Sequence, residues 1–232
     1  MVPAKVGLYS AVYGQYDDPR SAPDLPVPCR MFTDGIGDSD IELGWDVWRI
    51  DPKIEDSEGN RYEPTNMLRH KFWKTHPAAA FPDAEISIWV DGSIGITDPD
   101  FVDKVLDYLG DADWLTMKHP WRDCIYDEAT FSAQLSRYDA IKLEQQAGFY
   151  RDVIGHPARW GLPATGILVR RHTEAVLEMG EQWWDECLHH THQDQVSLPV
   201  LARLNEEKVK TIFTLPWGEG WEFFEHSPKG FQ

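Results

Sequence analysis

Ile86-Ser87-Ile88-Trp89-Val90 runs straight into Asp91-Gly92-Ser93-Ile94, an apolar strand pattern that delivers a carboxylate to its C-terminal end and turns at once on a glycine. Ligands of open α/β sheets sit in the crevice outside the carboxyl ends of the strands, which makes Asp91 a candidate for binding chemistry. An ordinary turn cap would also place an aspartate there. Just upstream, Arg69, His70, Lys71, Lys74 and His76 crowd together; Lys118, His119 and Arg122 form a second basic group, and Arg170, Arg171 and His172 a third. In a chain of net charge −17 such groups suit one small anion, or else are solvated helix faces and strand ends. A strand-end carboxylate, a basic helix before it and a histidine far downstream, His226, together suggest a divalent ion, Mn2+ or Mg2+, holding a diphosphate while cations neutralise the rest.

These groups need a framework. Val6 to Val12 reads as a buried strand, and further strand patterns cover Arg30 to Thr33, Trp45 to Ile50, Ile86 to Val90, Asp113 to Met117, Gly166 to Arg170 and Val209 to Phe213. Helical spacing predicts one helix after the start signal Asp98-Pro99, a second over Phe131 to Tyr150, a third over Thr173 to Leu188 and a fourth over Gln193 to Leu204. Pro199 in the last is tolerable only near its first turn. Strands alternating with helices predict an α/β fold with a mostly parallel mixed sheet flanked by helices, in one domain over 1–232.

Composition removes several functions. The excess of acid over base argues against nucleic acid, whose binding requires lysine or arginine to neutralise phosphates. No apolar stretch approaches the ~20 residues of a membrane span, and Met1 to Gly14 carries no export pattern, so a cytoplasmic location is expected. Cys29, Cys124 and Cys187 are widely separated and outside any CxxC pattern, which predicts free thiols.

The run Asn66 to Ser93 resembles the nucleotide-sugar half of a GT-A glycosyltransferase, in which this strand ends in Asp-x-Asp; here Ser93 replaces the second aspartate. Gly161 to Arg170, the tryptophan-bearing helix after it and Gln193 to Leu198 match the order of that fold's second half. With Tyr9 to Asp17, Phe32-Thr33-Asp34, Trp89 to Ile94, His119 to Glu128 and Asp194-Gln195, the whole chain resembles a GT-A-like family long catalogued as a domain of unknown function, which includes plant mucilage and pectin-related glycosyltransferase-like proteins.

That resemblance implies a donor-binding half over about 1–98 and an acceptor and catalytic half over about 99–232. Tyr9, Ser10, Thr33, Asp34, Lys71, Asp91, Gly92, Ser93 and Lys229 would hold the donor, and Asp91, Ser93 and His226 the metal. Serine is a poorer ligand for a hard cation than aspartate. Asp194 and Gln195 would lie beneath the reacting sugar carbon, where oxygen dipoles stabilise positive charge. His119, Arg122, Glu128 and Thr165 would meet the acceptor, with Trp121, Trp160, Trp217 and Trp221 as candidates for stacking on sugar faces. The implied activity is transfer of a hexosyl or pentosyl group from a nucleotide sugar to a saccharide, protein or small-molecule acceptor, with retention preferred; an inverting enzyme would use Asp194 or Glu128 as base. Two alternatives stay open: a non-catalytic nucleotide- or sugar-binding module with a degenerate metal site, and a metal-dependent hydrolase.

Overall fold

A computed structural model describes residues 5–14, 16–17, 20–22, 24–35, 44–214 and 224–226, the last three and 214 by backbone only. Nine strands and seven helices are found among the described residues. The strands are β1 (Val6–Val12), β2 (Cys29–Thr33), β3 (Asp46–Arg49), β4 (Ile86–Val90), β5 (Ile94–Ile96), β6 (Trp114–Lys118), β7 (Pro163–Arg171), β8 (Thr211–Thr214) and β9 (Phe224–His226). The helices are α1 (Asn66–Thr75), α2 (Pro77–Ala80), α3 (Phe101–Leu109), α4 (Ile125–Ser132), α5 (Ala140–Asp152), α6 (Glu174–His189) and α7 (Asp194–Leu204).

Seven strands form one sheet in the order β3-β2-β1-β4-β7-β6-β8. Only β7 runs against its neighbours, pairing antiparallel with both β4 and β6; the other adjacent pairs are parallel. This is the mixed, mostly parallel α/β architecture the alternating pattern predicts. The reversal of β7 has a consequence for function: its first residues lie at the same edge as the C-terminal ends of β4 and β6.

Both faces of the sheet are covered, so alternate residues of each central strand feed different cores. Leu8, Ile88, Leu115 and Val169 pack with Val105 of α3 on one side. Tyr9, Trp89, Trp114 and Leu168 pack with Trp183 of α6 and Leu198 of α7 on the other. Much of the tryptophan content is accounted for here, with Trp89, Trp114, Trp183 and Trp184 fully buried. The three cysteines are free and buried, as expected. Among the described residues no helix is long and apolar enough to cross a membrane.

Three sequence expectations need correction. Phe131 to Tyr150 is two helices, α4 and α5, because the Asp139 carboxylate accepts the backbone N–H groups of Ile141 and Lys142 and starts a new helix there. Pro199 lies inside α7, beyond the first turn, where its missing N–H removes the helical donor for the Gln195 carbonyl. The helix signalled by Asp98-Pro99 begins at Phe101, after a turn in which the Asp98 side chain accepts the N–H of Asp100. The short pair β5 and β9, with Ile94 opposite His226, was not foreseen.

Candidate active site

The turn at the end of β4 is closed by the Ile94 N–H donating to the Asp91 carbonyl at 2.9 Å, while the Asp91 N–H donates to the Gly166 carbonyl of β7 at 2.8 Å. The Asp91 carboxylate is thereby fixed at the sheet edge. Its Oδ1 accepts Trp89 Nε1–H at 2.8 Å and the Lys74 ammonium at 3.0 Å. Opposite stands α1, capped by the Thr65 hydroxyl accepting the Leu68 N–H, with His70, Lys71 and Lys74 on one face at helical spacing.

Asp194, the first residue of α7, completes this lobe. Its Oδ2 meets Lys71 Nζ at 2.6 Å and Lys74 Nζ at 2.9 Å, and its Oδ1 accepts the Thr165 hydroxyl at 3.1 Å. Lys74 also donates to the Thr165 hydroxyl at 3.2 Å. Burial opposes ionisation of Asp194, but the two ammonium groups outweigh it and hold the carboxyl well below the usual carboxylate range. Lys71 is desolvated too, yet Asp194 and Asp91 raise its pKa above the usual lysine value. His70, beside them, is pushed down to about 3 by burial and by Lys71, so its imidazole is neutral.

A second lobe lies at the end of β6. His119 Nδ1 accepts the backbone N–H groups of Trp121 at 3.2 Å and Arg122 at 3.0 Å, and the Arg122 guanidinium lies 3.3 Å from its Nε2. Burial and Arg122 lower its pKa to about 4. Glu128 of α4 is buried and engaged on both oxygens: Arg122 donates to Oε2, while Ser132 and Gln193 donate to Oε1 at 3.0 and 2.8 Å. The Arg122 guanidinium also lies over the Phe131 ring, 4.2 Å from its centroid. Gln193, next to Asp194 in sequence, thus ties the second lobe to the first.

The two lobes wall one cavity of about 410 Å³, within the range of small-molecule sites. Of the sequence-predicted residues it gathers Lys71, Asp91, Ser93, His119, Arg122, Glu128, Thr165, Asp194 and Gln195, with Trp121 exposed on its rim. Gln195 donates its amide N–H to the Pro163 carbonyl at 3.0 Å, which fixes the side chain.

Other expected donor contacts are not brought there. Tyr9 is fully buried, its hydroxyl accepting from Arg170 and its ring edge-on to Trp89, because it lies in the interior of β1 and not at the strand end. Ser10 and Thr33 are equally buried within β1 and β2, and the Thr33 hydroxyl accepts the N–H of Gly35. Asp34 accepts the Gly14 N–H at 3.0 Å, and Gly92 lies so close to Val12 that a Cβ would come within 2.5 Å of it. Trp160 packs on Phe213 and His156, outside the cavity lining. Lys229, Trp217 and Trp221 lie outside the described residues, as does the side chain of His226.

Sequence reasoning named Lys74 only as a member of a basic group and gave it no role of its own, although it lies one helical turn beyond Lys71 on the same face, and it gave none to Gln193, whose partners come from distant α4. The first was findable from the i, i+3 spacing; the second was not. For a divalent ion, Asp91 Oδ1 is already taken by Trp89 and Lys74, leaving Oδ2 and the Ser93 hydroxyl. Among the described residues no group of three or more His, Cys, Asp or Glu converges to hold a metal, so these residues alone do not fit one.

A solved WbbM bifunctional glycosyltransferase aligns with 91% of this chain and 39% of its own, at 11% identity and TM-score 0.49. Glucosyl-3-phosphoglycerate synthase of Mycobacterium tuberculosis aligns with 98% of this chain and 73% of its own, at 11% identity and TM-score 0.46. In sequence, the chain is 24% identical over 231 residues to a probable hexosyltransferase, MUCI70 of Arabidopsis thaliana; the match covers 89% of this chain and 38% of that relative's length. The TOD1/MUCI70 glycosyltransferase-like domain model matches residues 67–217, a span that runs from α1 past β8 and takes in both lobes of the cavity. The chain belongs to the TOD1/MUCI70 glycosyltransferase-like domain family.

Proposed function

We propose that the cavity binds a nucleotide-sugar donor and that the chain transfers its hexosyl or pentosyl group to a saccharide, protein or small-molecule acceptor with retention of configuration. The observation that carries this reading is the convergence of Lys71, Asp91, Asp194 and Gln195 with the His119–Glu128 segment on one cavity at the carboxyl ends of β4 and β6. In this reading the first lobe receives the diphosphate and sugar, and the second lobe receives the acceptor.

Retention is supported by the state of the two carboxylates an inverting enzyme would use as base. Asp194 is held by two ammonium groups and a hydroxyl, and Glu128 by a guanidinium, an amide and a hydroxyl. A base must be free to reach the proton it takes. Gln195, with its amide N–H spent on Pro163, has its carbonyl oxygen left to stabilise positive charge on the reacting carbon. The bond from that carbon to the diphosphate oxygen breaks; the acceptor hydroxyl oxygen bonds on the same face, and its proton passes to the departing phosphate oxygen. Lys71 meets the developing charge on that phosphate.

The test is consumption of UDP- and GDP-sugars by the wild type and by Asp91→Ala, with the anomeric configuration of the product read by NMR. Turnover should vanish in the folded variant, and the product should keep the donor's configuration. Equal donor consumption by the two proteins would refute the assignment.

A further inference from the structure

Lys74 is 1% exposed, yet it is the cation on which the first lobe converges. An ammonium has three N–H donors and no acceptor. Lys74 has three partners for them, each from a different element: Asp91 after β4 at 3.0 Å, Thr165 of β7 at 3.2 Å and Asp194 of α7 at 2.9 Å. Lys71, on the same face of α1, makes one contact among the described residues, to Asp194, and keeps two N–H groups for a ligand. Both line the cavity, but they divide the work: the N–H groups of Lys74 are taken up by the protein, while Lys71 keeps two for the bound molecule.

We propose that Lys74 is a positioning residue, a buried cation that locks Asp91 and Asp194 into one geometry so that the donor-binding carboxylate and the reacting carbon's floor are set before substrate arrives. This rests on the glycosyltransferase reading above. Burying an ammonium is costly unless it is fully paired, and here the pairing joins α1 to the end of β4, to β7 and to the start of α7. Without it, Asp91 and Asp194 lose the one ammonium that contacts both, Lys71 reaches Asp194 alone, and the repulsion between the two carboxylates moves both. A displacement of about 1 Å in such a constellation costs on the order of 100-fold in rate, while binding made through Lys71 and the rest of the cavity is kept.

The test uses the full chain, with UDP and GDP as binding probes by calorimetry and steady-state turnover of whichever nucleotide sugar the wild type consumes. Lys74→Met should lower kcat by about 100-fold while the nucleoside diphosphate Kd changes by less than about fivefold, and Lys74→Arg should restore at least about a tenth of the wild-type kcat. Should Lys74→Met fail to fold, Lys74→Gln, which keeps two donors and drops the charge, is judged by the same split. Wild-type kcat in the neutral variant, or parallel losses of kcat and binding that would make Lys74 a ligand contact, overturns the proposal while leaving the glycosyltransferase reading in place. A wild type that binds neither nucleotide and consumes no nucleotide sugar overturns both.

Discussion

At the scale of single residues, Asp194 and Asp91 illustrate how position decides the role of a carboxylate. Asp194 is buried at a helix start, with ammonium groups on one oxygen and a hydroxyl on the other; Asp91 keeps one oxygen toward the cavity. Removing the charge of Asp194 therefore strands the buried Lys71 ammonium and leaves Lys74 with Asp91 as its one carboxylate. Asp194→Asn should cost about 3–5 kcal/mol of folding stability, measured by urea denaturation, besides its effect on turnover. A loss within experimental error would mean that the lysines find other counter-charges. Asp91 was readable from its place at a strand end, whereas the family resemblance supplied Ser93, His119, Thr165 and Asp194, and all five line one cavity. The placement of Tyr9, Ser10 and Thr33 was not readable, because in a strand buried on both faces nothing in the local pattern separates its last exposed position from its interior.

At the scale of elements, the site depends on how closely α1 sits against its neighbours. Gly180 of α6 lies against the C-terminal end of α1, where an added Cβ would approach the Thr75 carbonyl oxygen to 2.5 Å. The contacted atom is backbone, so the helices must separate to admit a methyl group. Gly180→Ala should destabilise the fold by about 1–3 kcal/mol and lower turnover through Lys71 and Lys74, although Gly180 does not line the cavity. Thermal denaturation and donor consumption measured on the same preparation check both parts. Order and type of the main elements were legible because apolar periodicity records which faces are buried. The gap between α4 and α5 was not, since Gln134 to Tyr138 carries neither glycine nor proline and only the Asp139 cap marks the restart. β5, three residues long, exists through its pairing with β9 and leaves no periodic trace.

At the scale of the whole molecule, burial of neutral histidines sets the acid limit of stability. Burial lowers His70 to about 3 and His119, His156, His172 and His192 to about 4, from an ordinary value of 6.5. Between about pH 6.5 and pH 4 the unfolded chain therefore binds protons that the folded chain refuses, and stability falls as pH drops through that window. The loss should reach at least a few kcal/mol by pH 4.5 in urea unfolding titrations. A flat profile from pH 7 to 4.5 would mean that these imidazoles are charged in the folded protein. Asp194 acts at lower pH: its depressed pKa contributes stability above the ordinary carboxylate range and loses it only below.

The net charge of −17 and the cavity fit together at this scale, because the lysines at its centre are matched by Asp91 and Asp194 while the rest of the chain carries the acidic excess. The central claim is that this cavity takes a nucleotide sugar. Thermal unfolding of the wild type and of Asp91→Ala against a panel of UDP- and GDP-sugars tests it most directly, since a ligand bound only by the folded state raises apparent stability by mass action, about 2.7 kcal/mol at a hundredfold excess over Kd. At least one nucleotide sugar should raise the wild-type Tm and fail to raise that of Asp91→Ala. A panel that leaves the wild type unmoved, or that stabilises both proteins equally, would contradict the account.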